Sequence, residues 1–425
     1  MSDKYLKHYA EPEINALENI TAVYQHCVCI PAFDESTVFI NRVIRFIKRH
    51  PASLFIIVLN QPSDKSNSGY RTSNNNLACQ QALQNSGQPV WANQNLQLLN
   101  YHNHSAVLVV DRFSKGLTIP ANQGVGLARK IAADLALQLI SQQVISCPWI
   151  YSTDADVRLP DNYFALHRQE KSPSSKDKTE AIAAFVANYE HISAGNNEIY
   201  QATQVYQARL NAYVDGLRYA GSAYAFHTLG STLCINEKHY AQVRGFPKRA
   251  AGEDFYLLNK LRKTGLIVSP KQPIIQIESR QSSRTPFGTG SAVNEIRLLS
   301  DHQKAEIFYH PELFNWLKNI LQWLSLLSID SFIQSADQQW QTHMINSDIF
   351  LSHEQTLIIE VLEELNFNRA YQHCLAQSQN PRQFDRHMRD WFDAFKTLKF
   401  FHLVRDKSSY KNISQDRYQQ LINGS

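Results

Sequence analysis

The sequence predicts an α/β fold, a sheet flanked by helices, followed by a helical C-terminal region. Three observations predict it. Short apolar, partly β-branched runs alternate with stretches of helical period over the first 300 residues. Beyond about Ser300 the alternation gives way to amphipathic helical periods alone. The 425 residues, 43% hydrophobic and 19% charged, exceed one average domain and have ample apolar surface to bury.

Val23 to Ile30 (VYQHCVCI) reads as a buried strand stopping at Pro31. A helix follows, with Ser36 as its N-cap and Val38, Phe39, Val43, Ile44 and Ile47 on one face before Pro51. A second strand, Leu54 to Leu59, runs into the turn-rich NQPSDKSNSG. Strand, helix, strand opens a parallel sheet. Ala106 to Val110 is the next strand, KGLTIPANQGVG a loop, and Leu127, Ile131, Ala132, Leu135 and Leu139 one face of a helix. Trp149 to Ser152 then delivers DADVRLP to a strand's carboxyl end, where open α/β sheets bind ligands. Residues 169 to 179 are polar and read as a loop, and Ile182 to Tyr189 as a further strand. Helices are expected at Leu313 to Ile333, Glu354 to Leu375 and Pro381 to Leu403. The expected domains are a leader at 1–22, a catalytic domain at 23–300 and a helical accessory region at 301–425.

With 42 Lys+Arg against 38 Asp+Glu, the formal charge of +4 is small and dispersed, so no nucleic-acid partner is expected. Six cysteines without CxxC spacing read as reduced thiols, and no secretory signal or long uncharged apolar window is present, so the expected location is cytoplasmic. The Leu313 to Ile333 period suits packing against a catalytic domain. Its polar face is not rich in Lys and Arg, so peripheral contact with the inner membrane face is the second placement.

Four clusters carry chemistry. Asp154 and Asp156, one residue apart after a strand, are hard oxygen ligands suited to Mg²⁺ or Mn²⁺ on a diphosphate; the bland alternative is a solvated acidic turn. Glu253 and Asp254 open a helix whose dipole favours their charge and keeps them ionised near neutral pH, which suits a general base; a simple helix start fits equally. Lys115-Gly116 through Gly124-Val125-Gly126 opens a helix bearing Arg129 and Lys130, a candidate phosphate cradle or only a tight helix packing. Arg280, Arg284, Gly288 and Gly290 form a basic loop able to close over a leaving diphosphate, or an ordinary linker.

In order and spacing, CIPAFDES, the glycine-rich RK helix, the strand into DAD, and GSTLCINEKHYAQVRGFPKRAAGEDFYLLNKL resemble the family-2 glycosyltransferases, of non-processive bacterial type, over roughly Val23 to Gly265. The resemblance implies the GT-A fold, a Rossmann-like mixed sheet flanked by helices. It places Pro31, Ala32, Glu35 and Asn60 beside the nucleotide, Arg129 near base or phosphate, and Asp154 and Asp156 on metal and diphosphate. Asp254 falls on the catalytic base with Glu253 beside it, and Arg280 and Arg284 would assist the diphosphate. It implies metal-dependent, inverting transfer of a sugar from a nucleotide-diphosphate donor to a glycan, lipid or small-molecule hydroxyl. Two departures stand out: Asn60-Gln61 replaces an acidic pair at the end of the second strand, and no QxxRW segment is present, which points to single additions. A dehalogenase-type phosphatase would want Thr or Val where Arg158 stands, and a pyrophosphorylase would want glycines in PAFDES. A degenerate, binding-only glycosyltransferase is the remaining alternative.

Overall fold

The strand expected at Val23 to Ile30 lies at His26–Ala32 (β1), fully buried, and contains Pro31 instead of stopping before it. The neighbouring strand Trp149–Ser152 pairs with β1 only from Cys27 to Cys29, so Pro31 sits where one side has no ladder and a missing N–H is tolerated. The computed structural model describes residues 2–63, 73–168, 180–280, 289–333 and 340–423. Arg284, Gly288, the whole polar 169–179 segment and part of the turn after Asn60 lie outside the described residues.

The chain divides into two compact units, Met1–Thr203 with Thr228–Asn294, and Gln204–His227 with Glu295–Ser425. In the first, the initial residues form a helix, Ser2–His8 (α1), and a short 3-10 turn, Pro12–Ala16, that bury Tyr5, Ile14 and Ala16. The helix after β1 is Val38–Arg49 (α2). It buries Phe39, Ile40, Val43, Phe46 and Ile47 at helical spacing. Thr37, not Ser36, holds the N-cap position and caps nothing with its side chain, because it is already in the αR region.

The remaining strands of the first unit are Ser53–Asn60 (β2), Gln88–Asn93 (β3), Leu96–Asn100 (β4), Ala106–Arg112 (β5), Trp149–Ser152 (β6), Val157–Arg158 (β7), Ile182–Val186 (β8), Asn188–Ser193 (β9), Leu233–Asn236 (β10), Leu266–Val268 (β11) and Ile274–Ser279 (β12). Among the described residues they make a nine-stranded sheet, ordered β11-β8-β10-β6-β1-β2-β5-β4-β3, and a three-stranded one, β7-β12-β9. The centre, β6-β1-β2-β5, is parallel; β10 and β4 are antiparallel to their neighbours. The fold is therefore a mixed sheet flanked by helices, as expected. The strand expected over Ile182 to Tyr189 is two, β8 and β9, which break at Ala187 and serve different sheets. The helices are Asn74–Ser86 (α3), Gly124–Ser141 (α4), Asn197–Tyr219 (α5), Glu237–Gln242 (α6) and Glu253–Leu261 (α7), with α5 leading into the second unit.

The second unit is helical. Glu312–Ile333 buries Leu313, Phe314, Trp316, Leu317, Ile320, Trp323 and Leu324 within that unit's own core. The two other long helical periods each split: Asn366, at φ 61°, separates Ser352–Glu364 from Phe367–Gln377, and Phe392 and Asp393 separate Pro381–Trp391 from Ala394–Lys407. Among the described residues no helix is long and apolar enough to cross a membrane. All six cysteines are free and buried.

Candidate active site

Because β6 runs parallel to β1 and β2, its carboxyl end carries Asp154 and Asp156 out at the same sheet edge where β1 ends in Pro31 and Ala32. From α4, below this edge, Arg129 reaches the acidic loop. Its Nη2 donates to Asp154 Oδ1 at 2.6 Å, its Nε to Glu253 Oε1 at 2.7 Å, and its Nη1 to Ser152 Oγ at 3.0 Å and the Gly230 carbonyl at 3.1 Å. One buried guanidinium thus ties together two acidic motifs a hundred residues apart. Its side chain and that of Glu253 are each 5% exposed, whereas Asp154 is 32% exposed. Burial opposes the Arg129 charge, but the two carboxylates outweigh it and raise its pKa.

Two glycines make this approach possible. A Cβ on Gly230 would lie 2.4 Å from Arg129 Nη2, inside the guanidinium. A Cβ on Gly126 would meet the Pro247 carbonyl at 2.4 Å, and its N–H bonds the Arg249 carbonyl at 2.9 Å. Of the two readings of the glycine-rich segment, the close packing of α4 on the 247–250 loop is the one realised here, and Lys115 is exposed. Lys130 points elsewhere, to Asp134 at 2.9 Å and Tyr5 at 2.5 Å.

Asp254 lies in the first turn of α7. Its Oδ2 accepts the Gly230 N–H at 2.8 Å and its Oδ1 the Phe255 N–H at 2.7 Å. The helix start was expected to keep it ionised at neutral pH. Instead burial, reinforced by the charge of Glu253, pushes its pKa up to about 7, and Arg129 and the two N–H donors recover only part of that. A carboxylate poised near 7 suits a general base better than one held fully ionised.

The second guanidinium is Arg280, at the end of β12. It forks onto Glu35, 2.5 and 2.7 Å, and donates to Asp156 Oδ2 at 2.8 Å. Burial, with the charges of Asp154 and Glu35, pushes Asp156 up to about 6 against the pull of Arg280. Asp154 uses Oδ1 on Arg129 and Asp156 uses Oδ2 on Arg280, which leaves the other oxygen of each for a further partner.

Asn60 is buried, and its amide donates to the carbonyls of Ala32 at 3.1 Å and Val58 at 3.3 Å. Its own carbonyl accepts from Asn76 Nδ2 at 2.9 Å, so this side chain and backbone pin β1, β2 and α3 together. Arg42 and Glu278 were not read from the sequence, and Arg158 was read only as a departure from another family's motif. Arg42 holds the Ala155 carbonyl at 3.0 Å and Glu278 at 2.6 Å, and Arg158 also reaches Glu278 at 2.9 Å, so α2 and β12 brace the acidic loop. No local motif announces Arg42; in the sequence it only stands off the apolar face of α2 formed by Phe39, Val43, Phe46 and Ile47. Beside this brace a cavity of about 610 Å³ opens, lined by Asp154 and by the basic side chains of Arg42, Arg45, Lys48, Arg49 and Arg158.

No known family profile matches the chain, and no curated protein matches it in sequence. Among solved structures it is similar to glucosyl-3-phosphoglycerate synthase from Mycobacterium tuberculosis in complex with Mn²⁺, UDP and glucosyl-3-phosphoglycerate, at 16% identity over 65% of this chain and 79% of that one, with a TM-score of 0.32. A complex of the same enzyme with Mg²⁺ and UDP is similar at 14% identity over 69% of this chain and 85% of that one, with a TM-score of 0.34. Superpositions this loose carry no activity from those enzymes to this chain.

Proposed function

We propose that the protein is a metal-dependent, inverting GT-A glycosyltransferase of the family-2 type that moves a sugar from a nucleotide-diphosphate donor to an acceptor hydroxyl. The observation that carries this reading is the convergence of Asp154 and Glu253 on one buried guanidinium, which brings the two acidic motifs to one edge of a parallel sheet with a carboxylate of pKa about 7 beside them.

The donor set fits a hard divalent cation. Asp154 and Asp156 each keep an oxygen uncommitted, and Mg²⁺ or Mn²⁺ is bound through one or two carboxylates with substrate phosphates and waters completing the shell. When bound there, such a cation would neutralise charge building on the departing diphosphate. Arg280, paired with Asp156 and Glu35, adds a second positive charge at the leaving group's side. Asp254 accepts the proton of the acceptor hydroxyl as its oxygen bonds to the anomeric carbon. The bond from that carbon to the phosphate oxygen breaks, and the electron pair leaves with the diphosphate. One displacement from the opposite face inverts the centre. Arg129 is a positioning residue in this scheme: it holds Asp154 and Glu253 in place and is itself almost sealed from solvent.

The test is binding of UDP-, GDP- and dTDP-sugars with and without Mn²⁺, comparing wild type with Asp154→Ala/Asp156→Ala. Metal-dependent binding of one nucleotide, lost in the double variant, is the expected result. Failure to bind any of them would favour the degenerate, binding-only alternative, to which the structural use of Asn60 lends support.

A further inference from the structure

At the opposite end of the same strands lies a cluster that the transferase reading does not use. His26 is the first residue of β1, Cys147 sits two residues before β6, and His167 is the next-to-last residue of the 3-10 turn Tyr163–Arg168. One nitrogen from each histidine and the sulfur of Cys147 all lie within 4.8 Å of one another, and no other group of three such ligands is found among the described residues. The acidic loop is about 20 Å away, the length of β1.

We propose that His26, Cys147 and His167 form a binding site for one Zn²⁺ ion, separate from the acidic site. The ligand chemistry selects the metal: a thiolate and two imidazoles suit zinc, while Mg²⁺ and Mn²⁺ prefer oxygen. Geometry agrees. Zinc bonds of about 2.0–2.3 Å to nitrogen and sulfur put tetrahedral ligand atoms about 3.3–3.8 Å apart. Cys147 Sγ and His167 Nε2 are already 3.9 Å apart, so small side-chain rotations close the site.

Two further features point to a ligand. His26 is 5% exposed, and its Nδ1 is buried with no hydrogen-bond partner, a costly arrangement for a ring that only packs. Tyr151 offers His167 a partner for the tautomer a metal needs. Its hydroxyl lies 2.6 Å from His167 Nδ1 and 3.3 Å from the Phe164 carbonyl, and in the tautomer whose Nδ1–H donates to Tyr151 the Nε2 lone pair faces Cys147. Phe164 stacks on His26 with centroids 4.2 Å apart and fixes its ring plane. Cys147 is 7% exposed and His167 only half-buried, so the fourth position opens towards water. On binding, Zn²⁺ takes the sulfur lone pair and the thiol proton is released to solvent; no redox change is involved. The ion would fasten the entries to β1 and β6 to the turn that follows the acidic loop.

The test uses the full chain, free of any histidine tag and stripped with chelator, titrated with Co²⁺ as a spectroscopic stand-in for zinc. One equivalent should produce a thiolate-to-cobalt charge-transfer band in the near ultraviolet, which an all-oxygen site at Asp154 and Asp156 cannot give. The band should vanish in Cys147→Ser and survive in Cys374→Ser, and Tyr151→Phe should weaken binding about 10- to 100-fold. Absence of the band in wild type, or its persistence in Cys147→Ser, would overturn the proposal. Should Cys147→Ser fail to fold, X-ray absorption on zinc-loaded wild type decides: one sulfur at about 2.3 Å with nitrogen neighbours upholds the site, and a shell without sulfur removes it.

Discussion

Arg129 and Lys130 are neighbours on α4, both buried and both paired with carboxylates, yet their surroundings differ in kind. Consecutive helical residues point about 100° apart, so each looks into a different part of the first unit. Lys130 faces a sealed knot. Asp134 is fully buried; its Oδ1 accepts from Tyr5 at 2.5 Å and Tyr240 at 2.8 Å, and its Oδ2 from Lys130 at 2.9 Å and the Glu11 N–H at 2.8 Å. Every oxygen is spent, and the knot fastens the N-terminal residues to α4 and α6. Arg129 faces an assembly with the same ingredients in which Asp154 stays a third exposed and Asp154, Asp156 and Asp254 meet solvent. Buried ion pairs alone do not mark a site; unspent acceptor capacity at an open edge does.

That contrast fails if the open cluster proves to be adhesive and the sealed one functional, and the variant with the largest expected effect probes the open one. Asp254→Asn should lower transfer by about 10²- to 10⁴-fold, the usual worth of a positioned base, with donor binding unchanged in the same protein. Wild-type turnover should rise with pH through about 7, because Asp254 must lose its proton to act. The stability sign is the reverse. The folded pKa is raised above the unfolded value, so the native state binds more protons between about 4 and 7 and loses stability as pH climbs through that window. Asp254→Asn should therefore be more resistant to urea than wild type at pH 8 and indistinguishable from it near pH 4. A variant that is both active and less stable at pH 8 would remove Asp254 from the mechanism.

The sealed cluster should answer in the other currency. Lys130→Met leaves Asp134 without its cation and should cost about 3–5 kcal/mol by urea denaturation, while the protein that remains folded keeps its turnover per molecule. A loss of turnover at intact stability would mean that the knot reaches the site.

The same pair of residues explains how far the sequence could be read. Strand and helix positions around the sheet centre followed from apolar period because nearly every residue of β1, β2 and β5 is buried, and periodicity reports burial. The acidic motifs were legible because strand ends and helix starts give a carboxylate a local address. What joins them was not: Arg129 and Lys130 look alike in RK, and the sidedness that sends one to Glu253 and the other to Asp134 arises only when α4 docks. Arg42 and Glu278 meet across 236 positions, and the break at Ala187 between β8 and β9 depends on which sheet each half can join. His26, Cys147 and His167 share no spacing signal at all, because the register of β1 against β6 brings two of them together.

The finest test of the comparison removes one atom from the sealed cluster. Tyr5→Phe deletes the hydroxyl that donates to Asp134 Oδ1 and accepts from Lys130, but Asp134 keeps Tyr240, Lys130 and the Glu11 N–H. With three of four donors retained, the expected cost is about 1–2 kcal/mol, the net worth of one hydrogen bond to a charged group, and not the several kcal/mol of an orphaned charge. Turnover should not change, since Tyr5 touches nothing that Arg129 touches. A much larger cost would mean that α1 detaches as a whole when the hydroxyl is lost, making the N-terminal helix a cooperative part of the first unit instead of a segment fastened at one point.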